Sequence, residues 1–420
     1  MSPSRPSFKV VGRRLAPPDH RLRDFLTRAA QPFEWVEAGT PEAERLLEGR
    51  EVELPAVIDG DEVISGATVE GLVEAWRLTA PPSKREYELV IIGAGPAGLA
   101  AAVYAASDGL STLLLDIDVP GGQASHTSMI ENFFGFPEGI GGAELARLAG
   151  RQAERFGAEL AFLHGVTGGH ADPGGSFVME VAEKYEVTAP TCIAAPGMLW
   201  RRLEVEGLDD LLGRGVYYGA GRSEAARCAS DDVVVVGAGN SAGQAVMNLA
   251  SAGARVVMVV RGNRLGKSMS GYLVDRIAAS PLIDVRLQTE VDRVEDDGAG
   301  LAAVLVRSAD GSRKRLPAKS LFLCLGGQPR TEWTAGSPIR TDPAGYLLTG
   351  PDLLVDGRRP EGWPLARDPL ALETSVPGMF AAGDVRHGSV KRVAGAVGDG
   401  AMAVSLVHRW LDERLATGVE

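Results

Sequence analysis

Apolar and polar positions are arranged in two different ways along this chain. Up to about residue 82 the pattern is mixed. "FKVVG" and "FEWVE" have the alternation of strands, while "HRLRDFLTRAA", "PEAERLLEG" and "TVEGLVEAW" have the spacing of short amphipathic helices. "LPAVIDGDEVISG" reads as a hairpin turning at Asp59-Gly60, with Pro55 at its opening. From Tyr87 onward the strands become unbroken apolar runs such as Leu89 to Ile92 and Val233 to Val236, each followed by a glycine turn and a helix. "PPSKRE", Pro81 to Glu86, is the expected linker between the two regimes.

The second regime carries two copies of one device. "YELVIIGAGPAGLAAAVYAASDGLSTLLLD" holds a strand, a G-x-G-x-x-G turn, an alanine-rich helix and a second strand ending in Asp116. Gly93, Gly95 and Gly98, with Pro96 and Ala97 between them, let backbone approach a pyrophosphate at a helix N-terminus, and Asp116 can accept from a ribose hydroxyl. "DVVVVGAGNSAGQAVMNLASAGARVVMVVRGNRLGK" repeats the turn as G-x-G-x-x-A at Gly237, Gly239 and Ala242, with Asn240 and Ser241 inside it. Its second strand ends in Val260-Arg261 without a carboxylate, and Arg261, Arg264 and Lys267 follow. Cations in place of the acid favour a 2′-phosphate, hence NADPH over NADH. Two such units suggest a hydride donor and a flavin acceptor. Near the C-terminus, an apolar strand leads to Gly383-Asp384 and then to a glycine- and alanine-rich helix. That carboxylate suits a ribityl chain, and the helix dipole suits a flavin.

A net charge of −12, spread over both halves, argues against the basic face that nucleic-acid binding needs. The apolar runs fall far short of the roughly 20 residues that span a bilayer, and the first residues lack the apolar block of a secretory signal. The expectation is a cytoplasmic protein without a membrane or nucleic-acid partner. The chain's 420 residues contain three cysteines, Cys192, Cys228 and Cys324, none at C-x-x-C spacing. That usage points to core residues, with no disulfide framework and no metal site.

Together with "GGQ" (Gly121 to Gln123), "IENFFGFP" (Ile130 to Pro137), "FAAGDV" (Phe380 to Val385) and "KRVAGA" (Lys391 to Ala396), the two turns resemble the thioredoxin reductase-like FAD and NADPH-dependent flavoproteins over residues 87 to 420. The first region resembles a thioredoxin or glutaredoxin-like domain that has no cysteine in "RRLAPPDHRL", where the dithiol would fall. The resemblance implies an α/β fold. A small domain at 1–82 would precede an FAD domain at 83–202 and 327–420, with an NADPH domain at 203–326 inserted in it. By the same resemblance FAD is held by Gly93, Gly95, Pro96, Ala97, Gly98, Asp116, Gly122, Gln123, Asn132, Gly383, Asp384, Arg392 and Val393. NADPH is held by Gly237, Gly239, Asn240, Ser241, Ala242, Arg261 and Arg264. A homodimer is expected on the same ground.

Thioredoxin reductases proper carry a C-x-x-C where this chain has Gly219 and Arg222 in "YYGAGRSEAARCA". Glycine and arginine cannot exchange with a disulfide. The expected activity is therefore hydride transfer from NADPH to FAD, with electrons passing directly to a bound small-molecule or protein acceptor. Arg222, Tyr218, Glu224 and His387 are the candidates to steer or protonate that acceptor. A flavin oxidase or monooxygenase using dioxygen, and a flavin-loaded scaffold, are the alternatives. "DLLVDGRRPEGWPLARDP", Asp352 to Pro369, is long for a loop and, with Trp363, is a candidate cover for an active site or a partner.

Overall fold

The computed structural model describes residues 8–13, 16–60, 62–76, 80–127, 130, 132–172, 174–208, 211–212, 214–218, 228–266 and 269–417. In the N-terminal α/β region, strand Phe8–Gly12 lies parallel to Phe33–Glu37 and antiparallel to Ala56–Asp59, which pairs with Glu62–Ile64 at the far edge. Alternation along the first strand sends Val10 to one face, with Leu22, Phe25, Leu26 and Leu72, and Val11 to the other, with Val36 and Ala43. The first helix runs Pro17–Arg28, three residues ahead of the expected start, because two prolines suit its first turn. Helices Pro41–Leu47 and Val69–Ala75 begin after Thr40 and Thr68, whose hydroxyls accept from the amides of Ala43 and Gly71.

The expected linker is fastened to the strand Glu159–Phe162. Ser83 Oγ and the Tyr87 hydroxyl both donate to Glu159 Oε2, at 2.7 and 2.8 Å.

Residues Leu89–Ile92 form the middle strand of a five-stranded parallel sheet, in the order Met379–Ala381, Cys192–Ala194, Leu89–Ile92, Thr112–Asp116, Glu159–Phe162. Its strands are apolar on both sides because both faces are covered. Helices Pro96–Ser107, Gly142–Phe156 and Val393–Thr417 pack on one face, and the antiparallel strands Val166–Ala171, Phe177–Val181 and Tyr185–Ala189 on the other.

A second five-stranded parallel sheet repeats the plan, in the order Val216–Tyr218, Ser320–Leu323, Asp232–Val236, Arg255–Val259, Ile283–Arg286. Helices Asn240–Ser251 and Gly271–Ala279 cover one face, and strands Thr289–Asp296, Leu301–Ser308 and Arg313–Pro317 the other. The chain crosses between the two sheets through an antiparallel ribbon, Met198–Trp200 with Gly327–Pro329. The loop that carries Gly219 and Arg222, residues 219–227, lies outside the described residues.

The long segment at 352–369 does not cover the site end of the first sheet. Trp363 Nε1 donates to the Arg367 carbonyl at 2.7 Å, and Arg367 reaches Glu373 and Glu413. Glu373 in turn accepts from the amide of Gly378, just before strand Met379–Ala381. The segment therefore packs where the strands begin, opposite the glycine turns.

Candidate functional site

At the finishing end of the first sheet, the three glycines of the turn answer to different demands. A Cβ on Gly93, at φ +105°, would lie 2.2 Å from the Ala195 carbonyl oxygen, and one on Gly98 would lie 1.8 Å from that of Gly93. Those two are glycines because backbone passes too close for any side chain. Gly95 is different: its backbone is extended, at φ −71° and ψ −179°, and a Cβ there would meet no protein atom within 4 Å. The space beside it lies at the N-terminus of helix Pro96–Ser107, which has no side-chain cap. Its first amides are therefore available to an anion.

Asp116, at the end of the adjacent strand, accepts from the amides of Ala94 and Asp118. Burial pushes its carboxyl above the usual range, against the pull of those amides. Gly122 has φ +51°, and a Cβ there would sit 3.3 Å from Gly95 Cα, so this loop forms a second wall. Gln123 donates from Nε2 to the Met198 carbonyl at 3.2 Å, while its buried Oε1 has no protein partner. Asn132 stands in an exposed turn.

Gly383 closes a third side. At φ +77°, its Cβ position is 2.9 Å from Ala97 Cβ, and its amide donates to Asp399 Oδ2 at 3.1 Å. Burial raises the Asp384 carboxyl. Lys391 Nζ donates to the Asp384 carbonyl and lies 4.1 Å from the centroid of the Tyr346 ring. Burial draws the Lys391 ammonium below its usual range, with Asp384 opposing. Arg392 is exposed immediately ahead of Val393, the first residue of the last helix.

His387, on the same loop, has a partner that linear reading missed: its Nδ1 is 2.8 Å from Asp342 Oδ2. Burial would raise the Asp342 carboxyl, but His387 and the amides of Tyr346 and Ala344 outweigh it and hold the group below its usual range. No pattern links two residues so far apart in the chain. The pair exists only because Leu347 bridges to Arg386 in the fold.

The second sheet repeats the glycine turn with different surroundings. A Cβ on Gly237 would lie 2.3 Å from the Cys324 carbonyl oxygen. Gly239 precedes helix Asn240–Ser251, again without a side-chain cap. Asn240 Oδ1 accepts from the Ser270 amide at 2.8 Å, tying the following loop to the turn. Ala242 is fully buried and Ser241 exposed. Arg261 and Arg264 stand exposed just beyond strand Arg255–Val259.

Of the other candidates, the Tyr218 hydroxyl accepts from the Leu203 amide at 3.2 Å. Arg222 and Glu224 lie outside the described residues, as does Lys267. All three cysteines are buried and none is in a disulfide. Burial pushes the Cys192 and Cys324 thiols up to about 12. Among the described residues no cluster could hold a metal, and no helix is long and apolar enough to cross a membrane.

The family model for pyridine nucleotide-disulphide oxidoreductases matches residues 87–400. A thioredoxin reductase of Listeria innocua is 33% identical over 330 residues, which is 78% of this chain and 94% of that one. This chain belongs to the pyridine nucleotide-disulphide oxidoreductases, in the thioredoxin reductase-like branch. Among solved structures, the Lactococcus lactis thioredoxin reductase in its FR conformation shares 30% identity. It superposes with a TM-score of 0.68 over 78% of this chain and 99% of that one. The Streptococcus pyogenes thioredoxin reductase, at 29% identity and with 79% and 100% covered, gives 0.51.

Thioredoxin reductase-like enzymes use FAD and NAD(P)H, and the residues of this member fit the flavin nucleotide. The open space at Gly95, the uncapped helix start and the unpartnered Gln123 Oε1 are what a bound dinucleotide would fill and satisfy. The N-terminal α/β region, about 85 residues, lies outside the matched span.

Proposed function

We propose that this enzyme is an NADPH-dependent FAD oxidoreductase without a redox dithiol, delivering electrons from the flavin directly to a bound acceptor. The observation that carries the reading is the state of the thiols. The chain has three cysteines, all buried and none in a disulfide, and two have thiols pushed up to about 12. A thiol so far from ionisation supplies no thiolate at neutral pH.

When bound, the flavin would supply the two-electron chemistry, taking hydride from the reduced nicotinamide. The protein's own groups do the rest. The amides at the start of helix Pro96–Ser107 bind the pyrophosphate, and Asp116 and Asp384 orient the sugar hydroxyls. Arg261 and Arg264 select the 2′-phosphate of NADPH. Asp342 fixes the His387 ring through Nδ1, which leaves Nε2 to exchange a proton with the acceptor.

Residues 1–82 are read as a cysteine-free thioredoxin or glutaredoxin-like domain. The support is a parallel first pair of strands joined through a helix, with an antiparallel hairpin added on the other side. The domain limits and sites follow the sequence reading, as does a homodimer.

The test is anaerobic mixing of the flavin-loaded protein with NADPH and, separately, NADH, followed by air. Bleaching by NADPH at least tenfold faster than by NADH, with slow recovery in air, is the expected result. Fast recovery would replace this reading with an oxidase, and absence of bleaching would replace it with a flavin-loaded scaffold.

A further inference from the structure

One helix of the N-terminal region touches both parallel sheets. Near its end, Arg28 donates to Asp24 at 2.8 Å and to Asp118 at 2.7 Å, with its side chain only 14% exposed. Asp118 follows strand Thr112–Asp116 of the first sheet, and the next residue, Val119, is buried in the N-terminal core beside Phe25 and Leu26. Near the start of the same helix, the His20 ring meets Tyr217 edge-on, with centroids 5.1 Å apart. Tyr217 lies in strand Val216–Tyr218 of the second sheet and stacks on Phe322 of that sheet at 5.3 Å. Eight residues separate His20 from Arg28, about 12 Å along the helix axis.

What lies between these two footholds is a joint. The ribbon that carries the chain across is bounded by Gly197 on one strand and Gly326 on the other, at φ +68° and +76°. A Cβ at either would meet nothing within 4 Å, and each carbonyl accepts from an amide of the opposite strand, Arg330 or Arg201. Two crossing strands with an unhindered glycine at each can absorb rotation of one sheet against the other. The two solved relatives superpose unequally on this chain at near-equal identity and coverage, with TM-scores of 0.68 and 0.51.

We propose that the N-terminal region is a clasp across this joint, holding the second sheet in one orientation on the first. Its two ends are unequal. The Arg28 end combines an ion pair, buried on the arginine side and open to solvent at Asp118, with the apolar insertion of Val119, so the region is anchored to the first sheet. The His20 end meets the second sheet through a ring-on-ring contact with Tyr217 and carries no apolar insertion like that of Val119. The clasp therefore opens at Tyr217, and the N-terminal region stays with the first sheet as the second turns.

The experiment uses the full chain. Its three native cysteines are buried, so reporter dyes can be placed at Arg151→Cys and Ala278→Cys, both exposed and on helices covering the first and second sheets. Single-molecule energy transfer should show one narrow population in the parent. With His20→Ala a second population should rise about tenfold, and His20→Phe, which keeps an aromatic edge, should restore the single one. Arg28→Ala should broaden the distribution further. If that variant disturbs the N-terminal fold, the His20 pair decides alone. An unchanged distribution in His20→Ala, or two populations already present in the parent, would overturn the clasp.

Discussion

The two ends of the first parallel sheet are built on opposite terms. Where the strands begin, polar demand is met within the protein. Fully buried Glu373 accepts from Arg367 at 2.6 and 3.1 Å, from the Leu370 amide at 2.8 Å and from the Gly378 amide at 3.1 Å. Arg367 also donates to Glu413 at 2.6 Å and lies 5.8 Å from the Trp410 ring, whose Nε1 donates to the Pro190 carbonyl. Where the strands finish, demand is left open. Gly95 faces empty space, helix Pro96–Ser107 has no side-chain cap, and buried Gln123 Oε1 has no protein partner. An unsatisfied buried polar atom costs about 1–3 kcal/mol. The first end is built for stability, and the second is where the proposed dinucleotide would bind.

The largest effect should come from the closed end. Glu373→Gln leaves the Arg367 charge without its buried partner and should cost about 3–5 kcal/mol in denaturant unfolding. The flavin-to-protein ratio should not change; flavin loss would mean that the ends are coupled. At the open end, Gly95→Ala should weaken flavin binding about 100-fold, roughly 2.7 kcal/mol, with the stability of the flavin-free protein unaltered. Gly98→Ala drives a Cβ into the Gly93 carbonyl and should lose stability and flavin together, which separates the two kinds of glycine.

A smaller effect belongs to the second sheet. Arg261→Ala and Arg264→Ala should each raise the Kd for NADPH about tenfold and leave that for NADH in place.

The smallest effect is a pH dependence. The Asp342 carboxyl is held below its usual range, so its contribution to stability is present above about pH 4 and is lost as pH falls through the folded-state value. Acid titration of Asp342→Asn should show a flatter fall over that window than the parent.

Much of this architecture was legible because it rests on local signals. Apolar runs followed by glycine turns mark parallel strands, and the spacing from Gly93 to Asp116 gives strand, turn, helix and strand in one stretch. The first-region helices were readable from their amphipathic spacing, although Pro17 began its helix earlier than that spacing suggested, and Thr40 and Thr68 set the starts of the other two. What escaped depends on distance in the chain. Asp342 and His387 meet across 45 residues, and Arg367 meets Glu413 across 46. The position of Trp363 was likewise unreadable, since loop length signals use but not place. Nor could composition show that Arg28 and His20 face two different sheets.

The central claim is that electrons leave the flavin without passing through a disulfide, and its most direct test is an anaerobic reductive titration with NADPH, following flavin absorbance. One equivalent of NADPH per flavin should bleach the band completely, because two electrons fill the flavin and the proposed reading leaves the enzyme no second two-electron couple. A requirement for two equivalents would place a reducible disulfide in the enzyme and contradict the account.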